Sequence, residues 1–466
     1  MPPMSSTFKD FFQKQIEKYP WLGIFGIFLC SRLVVLAGLL LSRQKSAVEG
    51  ALAAARLLFN TSALSGGPFA IHPFALRPDY HGFTDFAKYW DGLWYLNIAL
   101  HGYQYDGTTQ HQSVTFYPFY PWLAKTLAAP LMLLGVSSES AILISGVILS
   151  NGLFLAALVM LFALIRKKSG QKVAWLTVAL LSFYPGSLFC SLFLTEGCFL
   201  ALAVGFFLAL ERRQYVLATL LCWPACLTRF NGLALAVSGL AKAGVGNLLK
   251  KPYVWFLPCL CLGPLLYPLY IAWGFGDPLL YLKMHANYRG QLPVLKLSAL
   301  LLMLGMIWLL YSNDASVRLK RNPAVARLAR WGLYALGVCL AVFYIASLLN
   351  LSGVPGIWSV TQNLLPAHLG PVVLATSLGL VAFALYQHQL EPAYKTYTIL
   401  NLFPLLFSGT FFSNHRYLTL IFPLFWGVAL GLEKFPRQGI LLCGCFALLL
   451  LGLTILYAGL GWLMVF

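Results

Sequence analysis

Residues 215–243 read YVLATLLCWPACLTRFNGLALAVSGLAKA, and the folding of this stretch decides the path of everything after it. As one straight apolar helix it crosses a bilayer once and sends the basic cluster from Arg318 to Arg330 outside. As two helices broken near Thr228-Arg229-Phe230-Asn231 it returns the chain to the side it came from. The broken form gathers the turns at 166–172, 211–213, 242–251, 318–330, 391–395 and 433–437 on one face, with Lys9, Lys14 and Lys18. That face then holds 20 of the 32 Lys and Arg residues, the asymmetry of a cytoplasmic face. The break is therefore adopted. Irregular backbone at membrane depth is tolerated only beside protein or a wet cavity, so the break also points to a site.

Composition leads to the same class. Hydrophobic residues make up 59% of the 466 and charged residues 10%, with a mean hydropathy of +0.76. Soluble domains carry about 25% charged residues. The net charge of +18 comes from short basic runs between apolar segments, such as Arg166-Lys167-Lys168 and Lys250-Lys251. A nucleic acid would need one exposed stripe, so no such partner is expected. The ten cysteines fall in apolar segments without metal-ligand spacing and read as small packing residues. Trp21 to Ser42 is too long for a signal-peptide core and reads as the first span.

The expected fold is an all-α polytopic membrane protein with about 11–13 transmembrane helices. Apolar segments run over 21–42, 141–166, 173–189, 192–210, 215–228, 230–243, 253–274, 295–312, 330–350, 368–388, 396–411, 415–432 and 438–461. Residues 1–466 form a single transmembrane domain: a cytoplasmic N-terminus over 1–20, a long first outer loop over 43–140, and the remaining bundle over 141–466. The outer loop contains amphipathic pieces, with 119–135 placed on the membrane surface. Short loops without soluble domains favour a bacterial plasma (inner) membrane over an ER membrane. The sequence sets no oligomeric state.

In this topology the unusual polar residues collect extracytoplasmically. The first outer loop holds Asp85-Phe86-Ala87-Lys88-Tyr89-Trp90-Asp91-Gly92-Leu93-Trp94-Tyr95. A general base needs a carboxylate in a shaped, partly desolvated pocket. Trp90, Trp94 and Tyr95 can wall one, and their faces suit sugar rings; the plain alternative is an interfacial aromatic belt. Glu196 opens an apolar helix, where a carboxylate is costly unless paired or functional; Arg229 at the break and Arg32 in the first span are its candidate partners. Arg229 either fixes packing with Glu196 or offers a planar fork to a phosphate. Asn414-His415-Arg416-Tyr417 begins a helix, whose free N–H groups favour anions. Lys283, His285 and Arg289 follow Gly276-Asp277-Pro278 and suit a phosphate or lipid headgroups equally.

Carboxylates and cations at one membrane face fit sugar transfer from a polyprenyl-phosphate donor. One carboxylate deprotonates the acceptor hydroxyl and the cations stabilise the leaving lipid phosphate. A transporter or flippase for lipid-linked sugars is the alternative, but it predicts paired broken helices in symmetric repeats, and a single broken pair is seen. A divalent cation shared by Asp85 and Asp91 is compatible with the pattern, although no ligand set demands one.

Six elements in order resemble the PIG-V-type mannosyltransferases, the GPI mannosyltransferase II family and its bacterial relatives. Tyr89-Trp90-Asp91-Gly92-Leu93-Trp94-Tyr95-Leu96-Asn97-Ile98-Ala99 with Gly102-Tyr103 is similar to their first signature. Phe116 to Pro121, Tyr184-Pro185-Gly186-Ser187 to Glu196, Thr228-Arg229-Phe230-Asn231-Gly232, Gly276-Asp277-Pro278 and Asn414-His415-Arg416-Tyr417 complete the series. Gly92 departs from the family's common Ser at that position. The resemblance implies a GT-C fold, an outer or lumenal active site, and a dolichyl- or polyprenyl-phosphate sugar donor with a lipid or glycan acceptor. It also implies Asp91 as the base. The expectation completed from these residues is an inverting hexosyltransferase, most simply for mannose. Arg229, Arg416, His415 and Lys283 hold the donor phosphate, and Glu196 orients Arg229. Asp85 positions the acceptor, Asn231 and Asn414 support the basic groups, and Trp90, Trp94 and Tyr95 meet sugar or acceptor.

Overall fold

Helix boundaries in this chain follow its capping and proline chemistry. The structure, a computed structural model, describes residues 18–44, 46–48, 86–89, 91–107, 112–243, 253–281, 283–284, 390–407 and 414–460. The expected segments 295–312, 330–350 and 368–388 lie outside these residues, as do Asp85, Trp90, His285 and Arg289. The helices are α1 (Pro20–Leu41), α2 (Asp91–His101), α3 (Phe119–Leu133), α4 (Ser138–Ser169), α5 (Gln171–Phe183), α6 (Glu196–Glu211), α7 (Tyr215–Cys226), α8 (Gly232–Ala243), α9 (Tyr253–Phe275), α10 (Pro392–Phe407), α11 (Asn414–Thr419), α12 (Phe422–Leu432) and α13 (Pro436–Leu460). Short 3-10 segments cover Ser113–Thr115 and Pro185–Ser191. No strand occurs among the described residues.

The longest helix among the described residues, α4, shows the local rules. The Ser137 side chain accepts from the Ser140 N–H at its start, Glu139 lies in its first turn, and Arg166, Lys167 and Lys168 lie in its last. These charges complement the helix dipole, and Gly170, at φ 87°, ends the helix. Three helices are long and apolar enough to cross a membrane, Pro20–Leu41, Ser138–Ser169 and Pro436–Gly459, among the described residues. A fourth span is formed if α5 and the 3-10 segment after it count as one bent unit. The outward faces are apolar, as in Leu29, Leu33, Leu36 and Leu40 of α1 and Ile440, Leu441 and Leu448 of α13. The interior is aromatic and aliphatic, with Phe199, Phe206 and Phe207 of α6 fully buried against Tyr394, Tyr397 and Trp426.

The break that decides the path is present. Helix α7 ends at Cys226 and α8 begins at Gly232. Glu211, at the end of α6 from which α7 departs, meets Lys242 at the far end of α8 at 2.7 Å. Helix α8 therefore folds back beside α7, and the pair is a hairpin. Gly232 makes this turn possible, since a Cβ there would lie 2.5 Å from the Cys226 nitrogen.

Two expected helices are each two pieces. The segment 173–189 stops at Phe183 and bends by 74° into Pro185–Ser191. Pro185 lacks an N–H and pushes Tyr184 out of the helical region, to ψ 136°. The segment 415–432 breaks between Thr419 and Phe422, with Pro423 in the first turn of α12. The surface piece 119–135 is α3. It buries Tyr120, Ala124 and Ala128, with Tyr120 bonded to Ser150 at 2.7 Å, and exposes Trp122, Leu127 and Leu133.

Candidate active site

Four charged residues from four parts of the chain meet at the end of the bundle where α6 begins. Glu196 is the first residue of α6 and is fully buried. Its Oε1 accepts from Arg229 Nη1 at 2.6 Å and from Arg416 Nε. Arg416 Nη1 also pairs with Asp91 Oδ2 at 2.6 Å. The cluster runs Asp91–Arg416–Glu196–Arg229, two anions and two cations. Removing so many charges from water is costly, and mutual pairing offsets it. Asp91, the first residue of α2, is the open end: its side chain is 33% exposed, against 5% for Arg416 and 0% for Glu196. Arg416 Nη2 and Glu196 Oε2 are buried without a hydrogen-bond partner.

Neutral groups brace the cluster. Arg229 Nη1 donates to Thr195 Oγ1 at 2.7 Å, and Asn231 Oδ1 accepts from Arg229 Nε at 3.5 Å. Asn231 Nδ2 donates to Asn401 Oδ1 at 2.7 Å, and Asn401 donates to the Tyr397 carbonyl in α10. The guanidinium of Arg229 lies 5.4 Å from the Tyr417 ring centre and that of Arg416 5.7 Å from Phe189. The break is also pinned from the start of α3, because Phe119 N donates to Leu227 O at 3.0 Å.

The other candidate residues fall as follows. His415 lies beside Arg416, its ring 5.3 Å from Phe189. Asn414 begins α11. Trp94 stacks on Phe116 at 5.7 Å, and Tyr95 packs edge-on against Phe116 and Tyr120, so both rings are engaged in packing. Burial, then the Asp91 carboxylate, raises the Tyr95 hydroxyl well above the usual phenol range, while Arg229 and Arg416 act the opposite way. Lys283 pairs with Asp277 at 2.6 Å in an exposed turn, which with the Leu279 N–H holds the Asp277 carboxyl below the usual range. Arg32 binds serine oxygens of 182–191, and Glu196 takes Arg229 and Arg416. Asp85 and Trp90 lie outside the described residues. No group of three or more His, Cys, Asp and Glu suited to a metal occurs among the described residues.

Sequence reasoning did not single out Thr195, Asn401 or Tyr457. Asn401 was detectable as a lone amide in an apolar helix. Tyr457, fully buried, packs against Phe86, Tyr89 and Phe189 from α13, and nothing in its apolar neighbourhood announces this.

A helical bundle with lipid-type outer faces is an integral membrane protein, and among the described residues its buried charge cluster lies at one end of the bundle. Residues 27–244, a little under half of the chain, match the family model described as Mannosyltransferase (PIG-V). The resemblance read from the motifs between Tyr89 and Gly232 is thereby borne out; those at 276–278 and 414–417 lie beyond the matched stretch. Among solved structures, an oligosaccharyltransferase from Archaeoglobus fulgidus, in complex with Zn and sulfate, is similar at TM-score 0.41 and 14% identity. The similarity covers 81% of this chain and 48% of that one, so this chain spans about half that enzyme's length. No curated protein sequence matches the chain.

Proposed function

We propose that this protein is an inverting glycosyltransferase that moves a hexose, mannose by family, from a polyprenyl- or dolichyl-phosphate donor to a lipid- or glycan-linked acceptor. The reaction takes place at the extracytoplasmic face, of a bacterial plasma membrane rather than an ER membrane, in a GT-C-type bundle. The observation that supports this reading best is the ion cluster in which Asp91 alone reaches well toward solvent while both arginines stay buried behind it.

In this reading Asp91 removes the proton of the acceptor hydroxyl, whose oxygen attacks the anomeric carbon. The bond from that carbon to the phosphate oxygen breaks on the opposite face, and the lipid phosphate leaves with the electron pair. Arg416, with its unmatched Nη2 donor, and Arg229 receive that phosphate. Phosphate competing for Arg416 turns Asp91 toward the acceptor. Donors fixed in a water-poor site stabilise developing charge more strongly than solvent does. Glu196 keeps the two guanidinium groups at a set spacing; Asn231 and Asn414 support them, and His415 and Lys283 lend further donors. Asp85 positions the acceptor, and Trp90, Trp94 and Tyr95 shape its surroundings.

The test is sugar release from synthetic polyprenyl-phosphate-mannose by protein purified in lipid. For Asp91→Asn the expected outcome is retained donor binding with turnover lowered by about 10²–10⁴-fold. Wild-type protein that binds the donor yet never turns it over with any lysate-derived acceptor would remove the enzyme reading and bring a lipid-linked-sugar transporter forward.

A further inference from the structure

Arg32 lies midway along α1, on a helix whose Leu29, Leu33 and Leu36 face outward. A guanidinium at such depth is expensive unless its donors are met. Nε meets the neighbouring Ser31 Oγ at 3.3 Å, and the Nη donors meet one short piece of chain. Nη1 donates to the Ser187 carbonyl at 2.9 Å and to Ser191 Oγ at 2.5 Å; Nη2 donates to the Ser182 carbonyl at 3.2 Å and to Ser187 Oγ at 2.9 Å. Ser191 Oγ in turn donates to Asn151 Oδ1 on α4 at 3.0 Å. The guanidinium is seated over Phe154 and Phe28, at 5.0 and 5.7 Å from the ring centres.

The chemistry of this segment explains the choice of residue. Pro185 ends α5 and the chain turns by 74° into Pro185–Ser191. That leaves carbonyls near the bend without helical donors, a condition hydrocarbon does not tolerate. Arginine is all donor, five N–H groups on a rigid plane, and so suits a cluster of such oxygens. The opposite side of the same segment is the support of the site. Gly186 touches α11 so closely that a Cβ would stand 2.1 Å from the His415 carbonyl oxygen. Phe189 lies under both His415 and Arg416. Past Ser191 the chain leads into Thr195 and Glu196, with Phe193 N bonded to Ala87 O at 2.9 Å just before α2.

We propose that Arg32 is a positioning residue for the candidate site: it holds the 182–191 segment at the place where Gly186 and Phe189 set Arg416 against Glu196 and Asp91. Its kinetic consequence rests on the reading of Arg416 as a donor-phosphate ligand; its structural consequence does not. Arg32→Gln, Arg32→Lys and Ser191→Ala, purified in lipid nanodiscs, test it by amide hydrogen exchange and by donor kinetics. In Arg32→Gln, exchange rises by about tenfold or more over both 185–191 and 414–419, while the middle of α4 stays protected. Donor kcat/KM falls by about 10²-fold, the cost of a displacement near 1 Å, and acceptor KM is unchanged. Arg32→Lys recovers part of both losses.

Loosening confined to 182–191, with 414–419 and donor kinetics as in wild type, would overturn the proposal and leave Arg32 a purely local support. Should Arg32→Gln fail to fold, Ser191→Ala decides, because it removes one of the four acceptors of the Nη groups. It is expected to raise donor KM by about three- to tenfold, and an unaltered donor KM with unaltered exchange at 414–419 rejects the link. If wild-type protein shows no turnover, the glycosyltransferase reading fails, while the exchange measurement still decides the role of Arg32.

Discussion

Glu196 is where the charges of the site meet, and its position explains why both arginines can be buried. One oxygen takes Arg229 and Arg416 together, which would otherwise be two cations in an apolar interior. Glu196→Gln keeps the shape and removes the charge. Stability should fall by about 3–5 kcal/mol, the cost of breaking a buried pair, seen as a lower midpoint in detergent thermal unfolding. Gly186 is decisive in a different way, through space alone. Gly186→Ala drives a Cβ into the His415 carbonyl and the Thr419 hydroxyl, at 2.1 and 2.2 Å. A destabilisation of about 1–3 kcal/mol is expected from such overpacking, with disproportionate loss of donor turnover because the displaced helix carries Arg416. Glu196 and Arg229 were legible in the sequence as charges where charges are costly, Asp91 as a carboxylate among aromatics and by the family resemblance, and Arg416 as a cation at a helix start. The Asp91–Arg416 bond was not, since 325 residues separate its partners.

At the scale of elements, α6 links two polar poles. Its first residue, Glu196, belongs to the candidate site, and its last, Glu211, joins a second network with Lys168 at 2.9 Å, Lys242 at 2.7 Å and Tyr394 at 3.0 Å. Glu391 pairs with the same two lysines, so the ends of α4, α6 and α8 and the start of α10 are tied together. Partial burial works against ionisation of Glu391, but the hydrogen bonds from Lys168 and Lys242 prevail and hold its carboxyl below the usual range. A depressed carboxyl favours the folded state only while ionised. Its contribution is complete above the ordinary Glu value of about 4.3 and disappears as pH falls through the lower folded value. Thermal unfolding across that acid range should show the loss in wild type, and Glu391→Gln should flatten that part of the profile. Helix existence was largely legible from apolar runs. The breaks in α5 and before α12 were not placed, although Pro185 and Pro423 signal them, because a long apolar run masks a local interruption.

Across the whole molecule, the candidate site and the second network occupy opposite ends of α6, and the basic turns at Arg166-Lys167-Lys168 and Arg212-Arg213 lie with the network. We propose, from the positive-inside rule, that the network faces the cytoplasm and the site the outside. Single cysteines at exposed positions on the two ends check this in intact cells. Ser138→Cys should react with a membrane-impermeant maleimide directly, and Arg212→Cys only after permeabilisation. The reverse pattern would put the site in the cytoplasm and exclude an outer-face donor.

The sequence alone determined that this chain lives in a membrane, that its helices are apolar, that its basic residues fall in short runs between apolar segments, and which short motifs carry charge. Those properties depend on composition and on spacing over tens of residues, and each segment displays them independently. Only the tertiary structure decided that Glu196 serves two arginines and that Arg32 serves a bent segment of serines. The reason is physical. A charge in an apolar run requires a partner, but any of several distant ones would satisfy it, and packing of helices chooses among them.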